Sequence, residues 1–373
     1  MGVSLTRVLC VFGTRPESIK MAPVVAELGA RPGVDCSVAV TAQHREMLDD
    51  VLDLFGILPD HDLDLMTAGQ TPSQVTARIL GEIDDLLAKS DPDWVVVQGD
   101  TTTAMAAGLG AFHARVRVAH VEAGLRTHDR TQPFPEEVNR RVVSMVTDLH
   151  FAPTDAARAN LLAEGVDERD VIVTGNPVVD AFVDIASRPF DTAGTPLAEV
   201  PLGDGRLVVL TAHRRETLGA PMREALAAAR ALVERHDDVR IVYPVHPNPR
   251  VRAVAYEVLD GIDRVHLVPP LDYRCFVGLL SRAHLVLTDS GGVQEEAPSV
   301  GVPVLVLRDT TERPEAVEAG TARLVGTSAT KIVTAASRLL GDRAAYDAMA
   351  RASNPYGDGH ARVRIADALE RRP

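Results

Sequence analysis

Short apolar, β-branched runs alternate with longer helical patterns almost from one end of this chain to the other, and nothing else in it limits the fold as tightly. Residues 8–12, 36–40, 94–97 and 116–121 are apolar for the length of a buried strand, while 19–28 and 78–87 repeat their apolar positions every 3.6 residues. After a further run at 171–174, a Pro- and Gly-rich stretch, 188–205, interrupts the pattern near mid-chain. The alternation then restarts. Residues 207–210, 239–243, 265–268, 284–288 and 302–307 are strand candidates, and 218–235, 249–259 and 272–281 are helical, the first unusually rich in alanine. Two successive runs of this kind predict two doubly wound parallel sheets, an α/β architecture of two Rossmann-like domains. A length of 373 residues agrees, since one hydrophobic core rarely grows so large. The expected boundaries are 1–172 and 173–356, with the amphipathic last segment, 357–373, packing back on the first domain.

Sheets of this type bind ligands at the carboxyl ends of their strands, and two that face each other make a cleft. Charge narrows what can bind. A formal net charge of −13 argues against non-specific nucleic-acid binding, which needs a basic face. No apolar run approaches the ~20 residues that cross a bilayer, so no membrane partner is expected. The N-terminus reads as a first strand rather than a signal peptide. Cys10, Cys36 and Cys275 are odd in number and set in apolar surroundings, which predicts buried, reduced thiols. Only three of the 39 basic residues are lysines, so a lysine beside a glycine turn draws notice.

The residues just after each strand carry the chemistry. "GTRPESIK" follows the first strand and sets Arg15 and Lys20 at the start of a helix, a place for a phosphate; it lacks the P-loop spacing. "QGDTTTAM" supplies Asp100, which would also serve as an ordinary helix N-cap. "HVEAGLRT" supplies Glu122, a carboxylate beside glycine that no helix start explains. "PFPEEVNRR" puts Glu136 and Glu137 in a first helical turn, where glutamates commonly answer the helix dipole. Carboxylates gathered at neighbouring strand ends split their pKa values, as proton transfer requires.

The second half brings cations: His213, Arg214 and Arg215 in "LTAHRRET", His246 in "YPVHPNP", Arg308 and Arg313 in "LRDTTERPEA". Between them "LTDSGGVQEEAP" leaves the backbone N–H groups of Ser290, Gly291 and Gly292 at a helix N-terminus, which favours an anion. Glu296, one turn into that helix, would accept from ribose hydroxyls, and Glu295, rotated by ~100°, would point elsewhere. Together they suit the diphosphate of a nucleotide sugar. The Asp62-Leu-Asp64 pair sits in an alternating, strand-like stretch, and no histidine pattern makes a metal site, so neither metal nor cofactor is expected.

With these residues assembled, the chain resembles the non-hydrolysing UDP-N-acetylglucosamine 2-epimerases. The motifs are "FGTRPESIKMAPV", "VTAQHREMLDDVL", "GDTTTA", "HVEAGLRT", "PFPEEVNR", "TAHRRE", "YPVHPNP", "TDSGGVQEEAPSVGVPVLVLRDTTERPEAVEAGT" and "NPYGDG", in order from Val8 to the C-terminus. The resemblance implies the glycosyltransferase-B fold and a cytoplasmic homodimer. It also implies conversion of UDP-N-acetylglucosamine to UDP-N-acetylmannosamine through elimination of UDP to a 2-acetamidoglucal, with the two domains closing to retain it. Asp100, Glu122 and Glu136 would share the acid–base work. Arg15, Lys20 and His213 would bind or neutralise the diphosphate, Ser290 to Gly292 would cradle it, Arg313 would support it and Glu296 would hold the ribose. A hydrolysing epimerase, an epimerase of a modified UDP-2-acetamido sugar, and a UDP-sugar transferase or binding protein share parts of this pattern. One departure stands out. Some members bind a second UDP-N-acetylglucosamine as activator; Gln43, Gln70 and His246 match that site, but Glu46 and Gly69 do not, which predicts weak or absent activation.

Overall fold

The computed structural model describes residues 5–372 other than 43, 44, 66, 68, 204, 215 and 216. They divide into two compact units, one made of Met1–Ala181 with Tyr356–Pro373 and the other of Phe182–Pro355.

The first unit holds seven strands: β1 (Thr6–Phe12), β2 (Val34–Val40), β3 (His61–Asp62), β4 (Trp94–Gln98), β5 (Arg117–Val121), β6 (Leu149–Ala152) and β7 (Val171–Val173). They form one sheet in the order β3-β2-β1-β4-β5-β6-β7, and each pairing is parallel. Strands buried on both faces read as unbroken apolar runs. Val8, Cys10 and Phe12 of β1 join Trp94 and Val96 in one core cluster, and Leu9 and Val11 join Val95 and Val97 in another. Successive side chains thus enter opposite layers, as the strand period demands. The helix Ala361–Arg371 adds Ile365, Ala366 and Leu369 to the first cluster. Its opening N–H groups, on Ala361 and Arg362, donate to the buried Asp180 carboxylate at 3.2 and 3.0 Å, because His360 makes no cap bond of its own.

The second unit repeats the scheme with β8 (Arg206–Thr211), β9 (Val239–Pro244), β10 (Val265–Val268), β11 (Leu285–Thr288), β12 (Val304–Val306) and β13 (Ala322–Leu324). Their order is β10-β9-β8-β11-β12-β13, again parallel throughout. The alanine-rich helix begins at Ala220, two residues later than its periodicity suggests, because Gly219 takes a φ of 91° and Pro221 fits only the first turn. Ala225, Ala228 and Ala229 let it lie close on the sheet.

Both sheets reverse strand order at one place, between β1 and β4 in the first and between β8 and β11 in the second. There the following loops part in opposite directions and leave a crevice. Cys10 and Cys275 are buried thiols, while Cys36 is only half-buried. Among the described residues no helix is long and apolar enough to cross a membrane.

Candidate functional site

In the first unit the turn after β1 is pinned by a capping box. Thr14 accepts from the N–H of Glu17, whose buried carboxylate accepts from the N–H of Gly13 and Thr14 at 3.1 and 2.8 Å. The other Glu17 oxygen accepts from the Thr101 hydroxyl at 2.6 Å, so the turns after β1 and β4 are tied together across the point of reversal. Burial pushes the Glu17 carboxyl above its ordinary range, opposed by the Thr101 and Thr14 hydroxyls and the two N–H groups. Arg15 is half-buried in the first helical turn. Lys20, one turn further, does not stand free for a phosphate: its ammonium reaches both oxygens of Glu122, at 2.6 and 2.7 Å.

Glu122 is the first residue after β5 and has a φ of 64°, unusual for a residue with a side chain. Besides Lys20 it accepts from the Gln98 amide and, at 2.8 Å, from the Asn176 amide. Asp100, two residues past β4, is spared the capping task it could have had, because Thr101 caps the next helix by accepting from the N–H of Ala104 at 3.0 Å. The Asp100 carboxylate takes two donors from Arg140 instead.

The paired glutamates divide. Glu137 is fully buried and accepts from the N–H of Thr127 and His128 and from Arg140 and Arg141. Burial pushes its carboxyl up, but those donors outweigh it and hold the group below its ordinary range. Its role is to anchor the preceding loop. The Glu136 side chain makes no ion pair or hydrogen bond among the described residues, and it lines a cavity of about 900 Å³ with Thr14, Pro16, Thr101 and Asn139.

The same cavity is walled by Gly69 and Gln70. The Gln70 amide is spent on its own loop, accepting from the N–H of Thr67 at 2.9 Å and donating to the Leu65 carbonyl at 3.3 Å. Gln43 and the side chain of Glu46 lie outside the described residues. Asp62 pairs with Arg45 at 2.5 Å, and no group of three His, Cys, Asp or Glu side chains suited to a metal occurs among the described residues.

In the second unit the neighbouring ends of β8 and β11 meet through Asp289. This carboxylate is 1% exposed and accepts from the N–H of His213 and Arg214 at 2.7 and 2.8 Å, with His213 Nδ1 3.1 Å away. Burial pushes it up, but His213 and the two N–H groups hold it below its ordinary range. His246, after β9, stacks on His213 with ring centroids 5.3 Å apart and an angle of 7°. Burial, together with the neighbouring His213, pushes the His246 imidazole down.

Ser290 turns its N–H to Thr288 Oγ1 at 2.9 Å, and its side chain makes no cap bond. The first N–H groups of Gly291–Glu296 therefore keep the open donors that any helix start has. Glu296 accepts from the Tyr273 hydroxyl at 3.2 Å. Glu295 faces the other way and holds Arg313, while Glu312 takes Arg308 at 3.0 Å and Arg214 at 3.6 Å. Arg215 lies outside the described residues.

The two sheets, and the sequence that forms them, have counterparts in known proteins. The family profile described as UDP-N-acetylglucosamine 2-epimerase matches residues 26–370. The chain belongs to the UDP-N-acetylglucosamine 2-epimerase family. The Bacillus subtilis UDP-N-acetylglucosamine 2-epimerase is 50% identical over 363 residues, which is 97% of this chain and 94% of that one. The enzyme of the same name from Escherichia coli K12 is 49% identical over 372 residues, 98% of each chain. The crystal structure of the Neisseria meningitidis UDP-GlcNAc 2-epimerase, solved bound to UDP-GlcNAc, has a TM-score of 0.88 and 44% identity, covering 98% of this chain and all of that one. The two-domain α/β fold is that of the family, of glycosyltransferase-B type.

Within this epimerase family fold, the sequence motifs fall at strand ends, but several partners are not legible in them. Gln98, Arg140 and Asp289 lie within the motifs and Asn176 outside them, but no motif shows that Gln98 and Asn176 meet Glu122, that Arg140 meets Asp100 or that Asp289 lies beneath His213. The one available signal is position: Gln98 closes a strand and Asn176 and Asp289 follow one, whereas Arg140 lies inside the helix Glu136–Val146 and has no such mark.

Proposed function

We propose that this chain interconverts UDP-N-acetylglucosamine and UDP-N-acetylmannosamine without net hydrolysis. The C2 hydrogen is not adjacent to a carbonyl, so simple deprotonation is too difficult. A base instead removes the C2 proton as the C1–O bond breaks, releasing UDP and leaving a 2-acetamidoglucal. UDP then adds back at C1 while a proton enters C2 from the other face. Acid and base must therefore flank one sugar carbon while the departing diphosphate, which gains a negative charge as the C1–O bond breaks, is stabilised nearby.

The observation that most supports this reading is the set of carboxylates at the ends of β4 and β5 and at the start of Glu136–Val146: Asp100 and Glu122, each with fixed donors, and Glu136 with its carboxylate open to the cavity. On this reading they carry the proton transfers. His213, steadied by Asp289, Arg15 and the N–H groups of Ser290 to Gly292 meet the diphosphate, and Glu296 takes the ribose. Lys20 acts through Glu122, and Arg313 through Glu295, in the resting protein. The chain works as a cytoplasmic homodimer and shows little activation by its own substrate. Proton NMR of the purified protein with UDP-N-acetylglucosamine in deuterated water tests the proposal. UDP-N-acetylmannosamine carrying deuterium at C2 is the expected product. Free N-acetylmannosamine and UDP would point to the hydrolysing reaction, and an unchanged sugar would overturn both.

A further inference from the structure

The next-to-last position of β5 carries a histidine that the chemistry above does not use. His120 is fully buried and faces Val97 across the β4–β5 ladder. Its Nε2 lies 2.7 Å from the Gly99 carbonyl oxygen, which can only accept, so Nε2 bears the hydrogen. The other ring nitrogen, Nδ1, has no hydrogen-bond partner among the described residues. A buried polar atom left unpaired costs about 1–3 kcal/mol, and a valine or leucine suits a central strand without that cost. Packing therefore does not account for a histidine here. The contact with Gly99 does.

Gly99 directly follows β4 with a φ of 70°, in the left-handed region that glycine tolerates best, and its N–H donates to the Val121 carbonyl at 2.9 Å. The next carbonyl, that of Asp100, accepts from Asn139 Nδ2 at 3.0 Å. Both peptide planes flanking the Asp100 Cα are thus held, one by His120 through Gly99 and the other by Asn139. Those two planes set the direction of the Asp100 Cα–Cβ bond, and Arg140 then holds the carboxylate it carries. A Cβ on Gly99 would stand 3.4 Å from Glu122 Oε2, so the same turn also borders Glu122. Burial drives the His120 imidazole down to about 3, opposed chiefly by the Gly99 contact, and the ring stays neutral and donating at any working pH.

We propose that His120 is a positioning residue for the epimerisation, acting through the Gly99 carbonyl to aim Asp100 beside Glu122. The inference rests on the reading that Asp100 takes part in proton transfer. A displacement of ~1 Å at such a group is worth about 100-fold in rate.

The test compares His120→Leu, which removes the donor, with His120→Gln, whose amide can restore it, and His120→Asn, which is too short to reach. Steady-state kinetics with UDP-N-acetylglucosamine, the Kd for UDP and the Tm are measured for each. The expected result is a kcat about 10–100-fold lower for His120→Leu and His120→Asn, with KM and UDP affinity within about 2-fold of the parent, and recovery of most of that loss in His120→Gln. A folded His120→Leu with parental kcat overturns the proposal, as does a loss equal in His120→Gln and His120→Asn or one that follows Tm and KM. If His120→Leu does not fold, the Gln and Asn pair still decides. An inactive parent would instead remove the epimerase reading, an outcome visible before any variant is made.

Discussion

Lys20 Nζ stands 2.6 and 2.7 Å from the two carboxylate oxygens of Glu122, joining the helix after β1 to the turn after β5. The side chains are only 16% and 6% exposed, so either charge alone would be poorly solvated. Lys20→Met is expected to lower unfolding free energy by about 3–5 kcal/mol, the range for stranding one partner of a buried pair. Adding Glu122→Gln should return part of that loss, since the second change removes the stranded charge. Urea unfolding of both single variants and the double variant measures this, and strictly additive losses would contradict the pairing.

Gly13 makes a sharper steric case. A Cβ there would fall 1.9 Å from Thr41 Oγ1 and 2.9 Å from Thr103 Oγ1, two hydroxyls that are themselves 3.0 Å apart. Gly13→Ala must push the turn after β1 away from β2 and loosen the Glu17 cap. A destabilisation of about 1–3 kcal/mol, the usual range for overpacking, should come with reduced turnover. Removing the closest obstacle with Thr41→Ala in the same chain should restore part of both. Thermal unfolding and initial rates of the four proteins decide it, and no recovery in the double variant would place the strain elsewhere.

The sheets were legible because parallel strands covered on both faces are apolar without interruption. β6 and β13 were not, and β3 showed only as part of the alternating stretch around Asp62, each for a visible reason. β3 is two residues long, His150 breaks the apolar run of β6, and Arg323 sits in the middle of edge strand β13. The site was legible to the extent that strand ends name candidates. What the sequence does not carry is which charges are already answered. Lys20 and Arg313 read as ligands for a diphosphate, yet in the fold they meet Glu122 and Glu295. Glu136 and Glu137 look interchangeable until burial separates them. The Lys20–Glu122, Asn176–Glu122 and Arg140–Asp100 contacts span 102, 54 and 40 residues, far beyond any local period.

The buried histidines also set an acid limit on stability. His150, in β6 opposite His120 of β5, is 1% exposed, and burial brings its imidazole down to about 4. A histidine in the unfolded chain protonates near about 6.5. Between those values the unfolded state binds a proton that the native state does not, so stability falls as pH drops from about 6.5 towards 4, by up to about 1.4 kcal/mol per pH unit from this group. His120 adds a loss of the same sign. His150→Gln should make the slope of unfolding free energy between about pH 6.5 and 5 shallower by up to about 1.4 kcal/mol per unit. Urea midpoints across that window provide the slope, and an unchanged value would mean that His150 protonates without unfolding.

Tyr273 donates to Glu296 at 3.2 Å, with 5% and 7% of the two residues exposed. The hydrogen bond steadies a carboxylate whose proposed work is to accept from ribose hydroxyls, and steadying it lowers the entropy lost when nucleotide binds. Tyr273→Phe keeps the ring and removes only the donor. The expected cost is about 1.5–3 kcal/mol in stability, as for hydrogen bonds to charged groups, with UDP affinity about 3–10-fold weaker. Turnover at saturating substrate should change little, because ribose is remote from the sugar carbon that reacts. Calorimetric titration with UDP, set beside kcat for the same variant, separates these effects. A lower kcat with unchanged UDP affinity would move Glu296 from holding the nucleotide to serving the chemistry, and the division of labour between the two sheets would have to be redrawn.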